Sequence, residues 1–211
     1  MSEIPDALFP TDNQLDIPVL KLDLQADYLD LPFVPYGSIG RSRKMNGTYH
    51  FYVDDRHFSA LWKNPDKIIK SGCVTVVEPN FSTSESQPLA YSIYQIYKKR
   101  WLSRYWQENG IRVFVDLNVT PKCEELNFYG VPVGWNAYAT RVHKNTTEEE
   151  LLHQADIAKY HSRSSDILFL VYGHRKSIDE LCREQGWIYV SETWPKPKDS
   201  NKKKHKMKVV A

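Results

Sequence analysis

Apolar positions along the chain fall into six short extended runs separated by helical patterns, and this alternation organises most of the sequence. Residues 47–55 alternate aromatic and β-branched side chains with polar ones, the two-residue repeat of a strand, and end in the paired acids Asp54 and Asp55. Residues 73–78 and 111–116 are β-branched runs, each finishing on an acid (Glu78, Asp116) with an amide two residues beyond (Asn80, Asn118). Residues 135–141 read as a fourth strand, and residues 187–190 as the last. Between them, residues 166–172 form a continuous apolar run of the kind buried on both faces.

Helices are expected over 56–63, 65–70, 88–108, about 146–161 and 176–185. Asp54 or Asp55 suits the cap of the first, Pro88 the opening position of the longest, and Asn109-Gly110 its stop. Thr146 and Thr147 before Glu148, Glu149 and Glu150 supply a capping pattern for the fourth. In the longest helix Leu89, Ile93 and Ile96 form one stripe, and Tyr94, Tyr97, Trp101 and Tyr105 a second, so both faces are expected to be covered.

From residue 47 the order is therefore β-α-β-α-β, a loop-rich segment, then β-α-β-α-β. This is an α/β pattern with a largely parallel sheet and flanking helices, either an open layered sheet or a small or incomplete β/α barrel. Upstream, five prolines in the first 35 residues favour extended backbone, and apolar residues such as Phe9, Ile17, Leu20 and Phe33 give that arm reason to pack. Three segments follow: residues 1–46, a Pro-rich arm ending in a basic glycine loop and packed on the body; 47–194, a single α/β domain; and 195–211, a Lys-rich tail expected to be disordered.

Composition changes this picture in three places. The formal net charge is +2, but seven lysines against one aspartate after residue 194 contribute +6, leaving about −4 for the rest. Attraction to nucleic acid must then come from the tail or from a local patch. Cys73, Cys123 and Cys182 are too widely spaced for a disulfide framework or a zinc motif; buried, reduced thiols are expected, with Cys123 alone in a loop where exposure is open to it. No run approaches the roughly 18 apolar residues of a membrane span, and residues 1–10 lack the blocks of a signal peptide, so a cytoplasmic protein without a membrane partner is expected.

Four groups are candidates for chemistry. Asp54, Asp55, Glu78 and Asp116 all end at one edge of a parallel sheet, where ligands gather, and with Asn80 and Asn118 offer hard oxygen ligands for Mg²⁺ or Mn²⁺. The alternative is structural: Asp54 and Asp55 cap a helix, Glu78 pairs with an arginine and Asp116 satisfies a loop. Lys98, Lys99, Arg100 and Arg104, interleaved with Trp101, Tyr105 and Trp106, suit phosphate contact and base stacking, or else a packed helix whose arginines meet the strand-end acids. The loop Gly37–Lys44, with Arg41 and Arg43, is a candidate anion cradle or a plain connection; it matches neither a Walker loop nor the dinucleotide fingerprint. His143 and His174 sit at strand ends, where an imidazole serves as acid or base near neutral pH, whereas His50 lies inside an aromatic strand and reads as a core hydrogen-bonding residue.

Three blocks carry a resemblance: residues 60–65 (ALWKNP), residues 78–82 (EPNFS) with Pro88-Leu89-Ala90, and residues 99–107 (KRWLSRYWQ). Together they resemble an uncharacterised domain family of bacterial chromosomes, plasmids and phages, over about residues 48–190. The Arg100-Trp101-Leu102-x-x-Tyr105-Trp106-Gln107 block is the most specific part. The resemblance implies a carboxylate at position 78 and a mobile-element setting, and it brings no activity, cofactor or catalytic residue.

Two readings of function remain. One is a nucleic-acid- or nucleotide-handling enzyme working by metal-assisted phosphodiester hydrolysis, with Asp54, Glu78 and Asp116 on the ion, Arg100 and Arg104 on phosphate, and Asn80 and Asn118 orienting it. The other is a non-catalytic module that binds DNA, RNA or a partner protein, in which the same residues are structural.

Overall fold

The computed structural model describes residues 9–38 and 44–192. Arg41, Arg43 and the Lys-rich tail lie outside the described residues. Seven strands form one sheet: β1 (Phe33–Pro35), β2 (Thr48–His50), β3 (Thr75–Val77), β4 (Arg112–Asp116), β5 (Ala137–Arg141), β6 (Leu168–Gly173) and β7 (Ile188–Ser191). Every neighbouring pair is parallel, and the spatial order is the sequence order. A parallel neighbour requires a crossover, and four α-helices supply most of these: α1 (Asp66–Ser71), α2 (Leu89–Gln107), α3 (Glu148–Ser162) and α4 (Lys176–Gln185). Between β4 and β5 the link contains only short 3-10 turns, Pro121–Cys123 and Leu126–Phe128.

An unreversed strand order lets the twist accumulate in one sense, and the sheet curls. His50 on β2 and Tyr172 on β6 would be about 19 Å apart across four flat strand spacings, yet their ring centroids lie 4.5 Å apart. Phe33 on β1 also meets Tyr172, at 5.6 Å. The result is an incomplete β/α barrel, and among the described residues no ladder joins β1 to β7.

Side chains alternate strictly between the two faces of this curl. Tyr52, Val77, Phe114, Ala137, Ala139, Leu170 and Tyr172 pack together inside it. Tyr49, Phe51, Val76, Val113, Val115, Phe169 and Val171 face outward, into the layer shared with the helices. The small Ala137 and Ala139 of β5 leave room for the large rings opposite, the small-to-large complement that fills narrow barrels.

The expected strands are all present. One more, β1, lies within the Pro-rich arm, whose Ile17, Leu20 and Ala26 are buried. The helix expected over 56–63 is instead two 3-10 turns, Asp55–His57 and Ser59–Trp62, because the chain bends at Phe58 to bury that ring fully. Thr147 and Glu150 close a reciprocal capping box on α3. The apolar stripes of α2 are a poor guide to its packing: Leu89 is 46% exposed, while Gln95, Lys99, Arg100, Ser103 and Gln107 are buried. Cys123, the thiol to which exposure was open, is fully buried, as is Cys182, and Cys73 is buried too.

The three sequence blocks meet around α2. Trp106 Nε1 donates to the carbonyl of Pro65 at 3.0 Å, the Tyr105 hydroxyl donates to Asp66 at 2.7 Å, and Arg100 pairs with Glu78. Buried Gln107 accepts from the Lys21 amide at 2.7 Å and donates to the Lys21 carbonyl at 2.9 Å, which fixes the arm to the helix. The arm is held again where the Leu20 amide donates to the Gly130 carbonyl at 2.8 Å. Gly130 has φ +74°, and a Cβ there would run into the carbonyl oxygen of Pro18. Gly130→Ala is therefore expected to lower stability by about 2 kcal/mol or more in urea unfolding. Gly110→Ala, at a similar φ but in open space, should cost only about 1 kcal/mol.

Candidate functional site

The carboxyl ends of β2 to β7 share one edge, and the acids foreseen there are arranged in two layers. Glu78, just past β3, faces the helix layer. It is fully buried and receives Nη1 of Arg100, whose Nε donates to the Tyr129 carbonyl at 3.2 Å and whose Nη2 donates to the Asn127 carbonyl. Every nitrogen of that guanidinium thus has an acceptor. The other carboxylate oxygen of Glu78 accepts the Asp116 amide at 3.2 Å, so the two acids are neighbours.

Asp116, at the end of β4, points into the curl. Its Oδ1 accepts from the Tyr52 hydroxyl at 3.1 Å and from the Asn118 side-chain amide at 2.9 Å and main-chain amide at 3.2 Å. Lys99 reaches in from α2, donating to the Asp116 carbonyl at 2.9 Å and standing 3.6 Å from Oδ2, which has no hydrogen-bond donor among the described residues. Burial raises the Asp116 carboxyl above its ordinary range, opposed by the Lys99 charge. Burial lowers Lys99, opposed by Asp116 and then Glu78.

Asp54 does not join them. It is exposed and caps the turn after β2 by accepting from the Arg56 amide at 3.1 Å. Asp55 accepts from the amide and hydroxyl of Ser82, each at 3.0 Å, and so ties the loop after β2 to the loop after β3. Among the described residues no three His, Cys, Asp or Glu side chains are placed to share an ion, so Asp54, Glu78 and Asp116 do not fit a common Mg²⁺ or Mn²⁺ cage. The helix cations are also engaged. Arg100 is enclosed, Arg104 donates to the Val19 carbonyl and to Glu108, and Lys98 stands over the Phe81 ring at 4.1 Å.

Above the buried acids lies a cleft of about 340 Å³, to which Asn80, Thr83, Asn118, Thr120, Arg141 and His143 contribute. Asn80 and Asn118 thus share one surface, as the sequence pattern proposed, and Asp116 holds Asn118 in place from below. A second cleft of about 400 Å³ adjoins it through Arg141 and His143 and takes in Lys144, His174, Arg175 and Glu192. Arg141 is the hinge of the pair: Nη1 donates to the Tyr52 carbonyl at 3.2 Å, Nη2 donates to Glu192 at 3.0 Å, and buried Nε has no acceptor among the described residues. Burial, and then the Arg141 charge, lower the imidazole of His143, with Glu192 opposing. Arg141 and Glu192 were not foreseen. The available signal was the inward register Ala137, Ala139, Arg141 at a strand end, where two small residues precede a cation.

Glu78→Ala strands a fully buried guanidinium and is expected to cost about 3–5 kcal/mol in urea unfolding. A second test concerns His50, whose Nδ1 accepts the Tyr52 amide and whose pKa burial lowers from 6.5 to about 3. Between those values the unfolded chain binds the extra proton. Wild-type stability should then fall as pH drops from 6.5 towards 3, by at most about 1.4 kcal/mol per unit. His50→Phe removes that dependence, so urea midpoints set equal at neutral pH should separate towards acid, with the wild type falling below the variant.

The chain has relatives among mycobacteriophage proteins. It is 27% identical over 139 residues to the Gene 1 protein of Mycobacterium phage D29, covering 64% of this chain and 52% of that protein. It is 26% identical over 142 residues to the Gene 1 protein of Mycobacterium phage L5, covering 65% and 62%. The chain thus spans less than two thirds of the length of these relatives. No solved structure matches it. No helix among the described residues is long and apolar enough to cross a membrane. A family model, Domain of unknown function (DUF4417), matches residues 9–185, and the chain belongs to that family.

Proposed function

We propose that this protein handles nucleic acid or nucleotides in a phage or mobile-element setting, in the cytoplasm, by binding a phosphate-bearing ligand in the carboxyl-edge cleft. The carrying observation is the chemistry of that cleft: Asn80, Asn118, Arg141 and His143 line it, and no carboxylate does so among its described lining residues. Amides suit the mixed donor and acceptor edges of a base, and a guanidinium suits phosphate. The volume lies within the range of small-ligand sites, which favours a nucleotide unit or an unpaired strand over a whole duplex. Phage relatives support the setting.

Binding is better supported than hydrolysis. The acids that the hydrolytic reading needs are used within the protein: Glu78 by Arg100, Asp54 by its turn, and Asp116 by Tyr52 and Asn118. Asp116 then acts as a positioning residue for the cleft amide. The seven lysines after residue 194 fit an accessory role in non-specific, salt-sensitive attraction.

Fluorescence anisotropy with labelled single- and double-stranded DNA and RNA, and competition by nucleotides, tests the proposal. Asn118→Ala should weaken binding of the preferred ligand about 3- to 10-fold, the loss of one or two hydrogen bonds. Removing residues 193–211 should flatten the salt dependence while leaving the Asn118→Ala effect in place. Folded protein that binds none of these polymers or nucleotides at low salt would sink the reading, and cleavage of any of them with Mg²⁺ or Mn²⁺ would restore the hydrolytic one.

A further inference from the structure

Arg141 is the one cation shared by both clefts, and its hydrogen bonding is incomplete in a specific way. Nη1 is used by the Tyr52 carbonyl, which ties the end of β5 to the segment after β2 across the curl. The opposite edge of the guanidinium, formed by Nε and Nη2, is the edge that grips an oxyanion with two parallel hydrogen bonds. Only half of it is filled. Glu192 offers one oxygen to Nη2 at 3.0 Å, and Nε is buried without an acceptor among the described residues. The arrangement is that of a two-pronged anion seat holding a one-pronged occupant.

Glu192 is placed to leave. Its main chain is fixed, because its amide donates to the Gly173 carbonyl at 2.6 Å. Among the described residues its carboxylate is held by one ion pair, to Arg141, with side chains 23% and 18% exposed, and a single contact of this kind is weaker than the paired one the same edge can make. Glu192 is also the only carboxylate among the described residues lining the second cleft, against Arg141, Lys144 and Arg175. A dianionic group entering there meets three permanent cations and one removable carboxylate.

We propose that Arg141 is the oxyanion anchor of this site, taking a phosphate group on its Nε–Nη2 edge in exchange for Glu192, which acts as an internal competitor. The inference rests on the reading of the carboxyl-edge cleft as a phosphate-binding site. No covalent step is involved: the guanidinium keeps its charge, the Glu192 carboxylate turns to solvent, and two charge-assisted hydrogen bonds replace one.

The test is calorimetric titration of the full chain with inorganic phosphate, a nucleoside 5′-monophosphate and a single-stranded oligonucleotide, for wild type, Glu192→Gln and Arg141→Lys, with urea midpoints confirming that each is folded. Glu192→Gln should bind inorganic phosphate roughly three- to fivefold more tightly, the gain from removing a weak competing ion pair. Arg141→Lys should bind it about tenfold or more weakly, since an ammonium cannot make the paired contact. Unchanged or weaker binding by Glu192→Gln overturns the exchange, and undiminished binding by Arg141→Lys overturns the anchor. In wild type the Arg141 Nε–H proton signal should shift as phosphate saturates; saturation with that signal unmoved also overturns the anchor. Phosphate binding with these dependences, but no binding of nucleotide or oligonucleotide, upholds the anchor and removes the nucleic-acid reading. Oligonucleotide binding that ignores both substitutions upholds the nucleic-acid reading and removes the anchor.

Discussion

Two consecutive cations on one helix, Lys99 and Arg100, meet two acids at the ends of neighbouring strands, Glu78 and Asp116, and the whole carboxyl edge is built over that quartet. Isolated ions of this kind could not be buried at tolerable cost, and a pair is acceptable only when the remaining lone pairs and protons are also satisfied. Here they nearly are. Arg100 reaches the carbonyls of Tyr129 and Asn127, Glu78 receives the Asp116 amide, and Asp116 receives Tyr52 and Asn118. The quartet fixes α2 against β3 and β4, and it also pins the 3-10 turn Leu126–Phe128 through the same guanidinium. The strand-end acids therefore form a structural joint, and the amides and the guanidinium lining the cleft stand one layer above it.

The curl of the sheet determines what stands in that upper layer. Strands that would be far apart in a flat sheet close on one another through Phe33, His50 and Tyr172, and Arg141 repeats the connection at the rim by bonding to Tyr52 and Glu192. Fold and site thus share one residue. Arg141 joins the end of β5 to the segments that follow β2 and β7, and among the described residues its Nε is left without an acceptor.

Much of the architecture was legible in the sequence. The strands from β2 onward follow from β-branched runs of length 4–8 bounded by turn residues, and the helices α2, α3 and α4 from their caps and stops. The strand β1 was not, because three residues ending in Pro35 give no period to detect and their identity as a strand depends on Thr48–His50 being beside them. The packing of α2 was half legible: pairing of an arginine with a strand-end acid was one of the two readings of the helix, and Arg100 meets Glu78, whereas its apolar stripes gave no sign that Lys99 would be buried beside Asp116. The shared edge of Asn80 and Asn118 was visible from strand ends alone. Arg141 was not singled out: its inward register behind Ala137 and Ala139 is local, but its bonds run to residues 89 and 51 positions away.

The unreversed order of the strands has a bearing on how such a molecule forms. Each strand docks on the one made just before it, so every ladder closes a loop of modest length and none waits for a distant segment, which keeps the entropy of closure small at each step. A chain emerging from the ribosome can lengthen its sheet by one strand at a time, with each new edge protected by the next. The ring contacts of Phe33 and His50 with Tyr172 join parts of the chain far more distant than any neighbouring ladder does, and they close the ribbon into a rounded body.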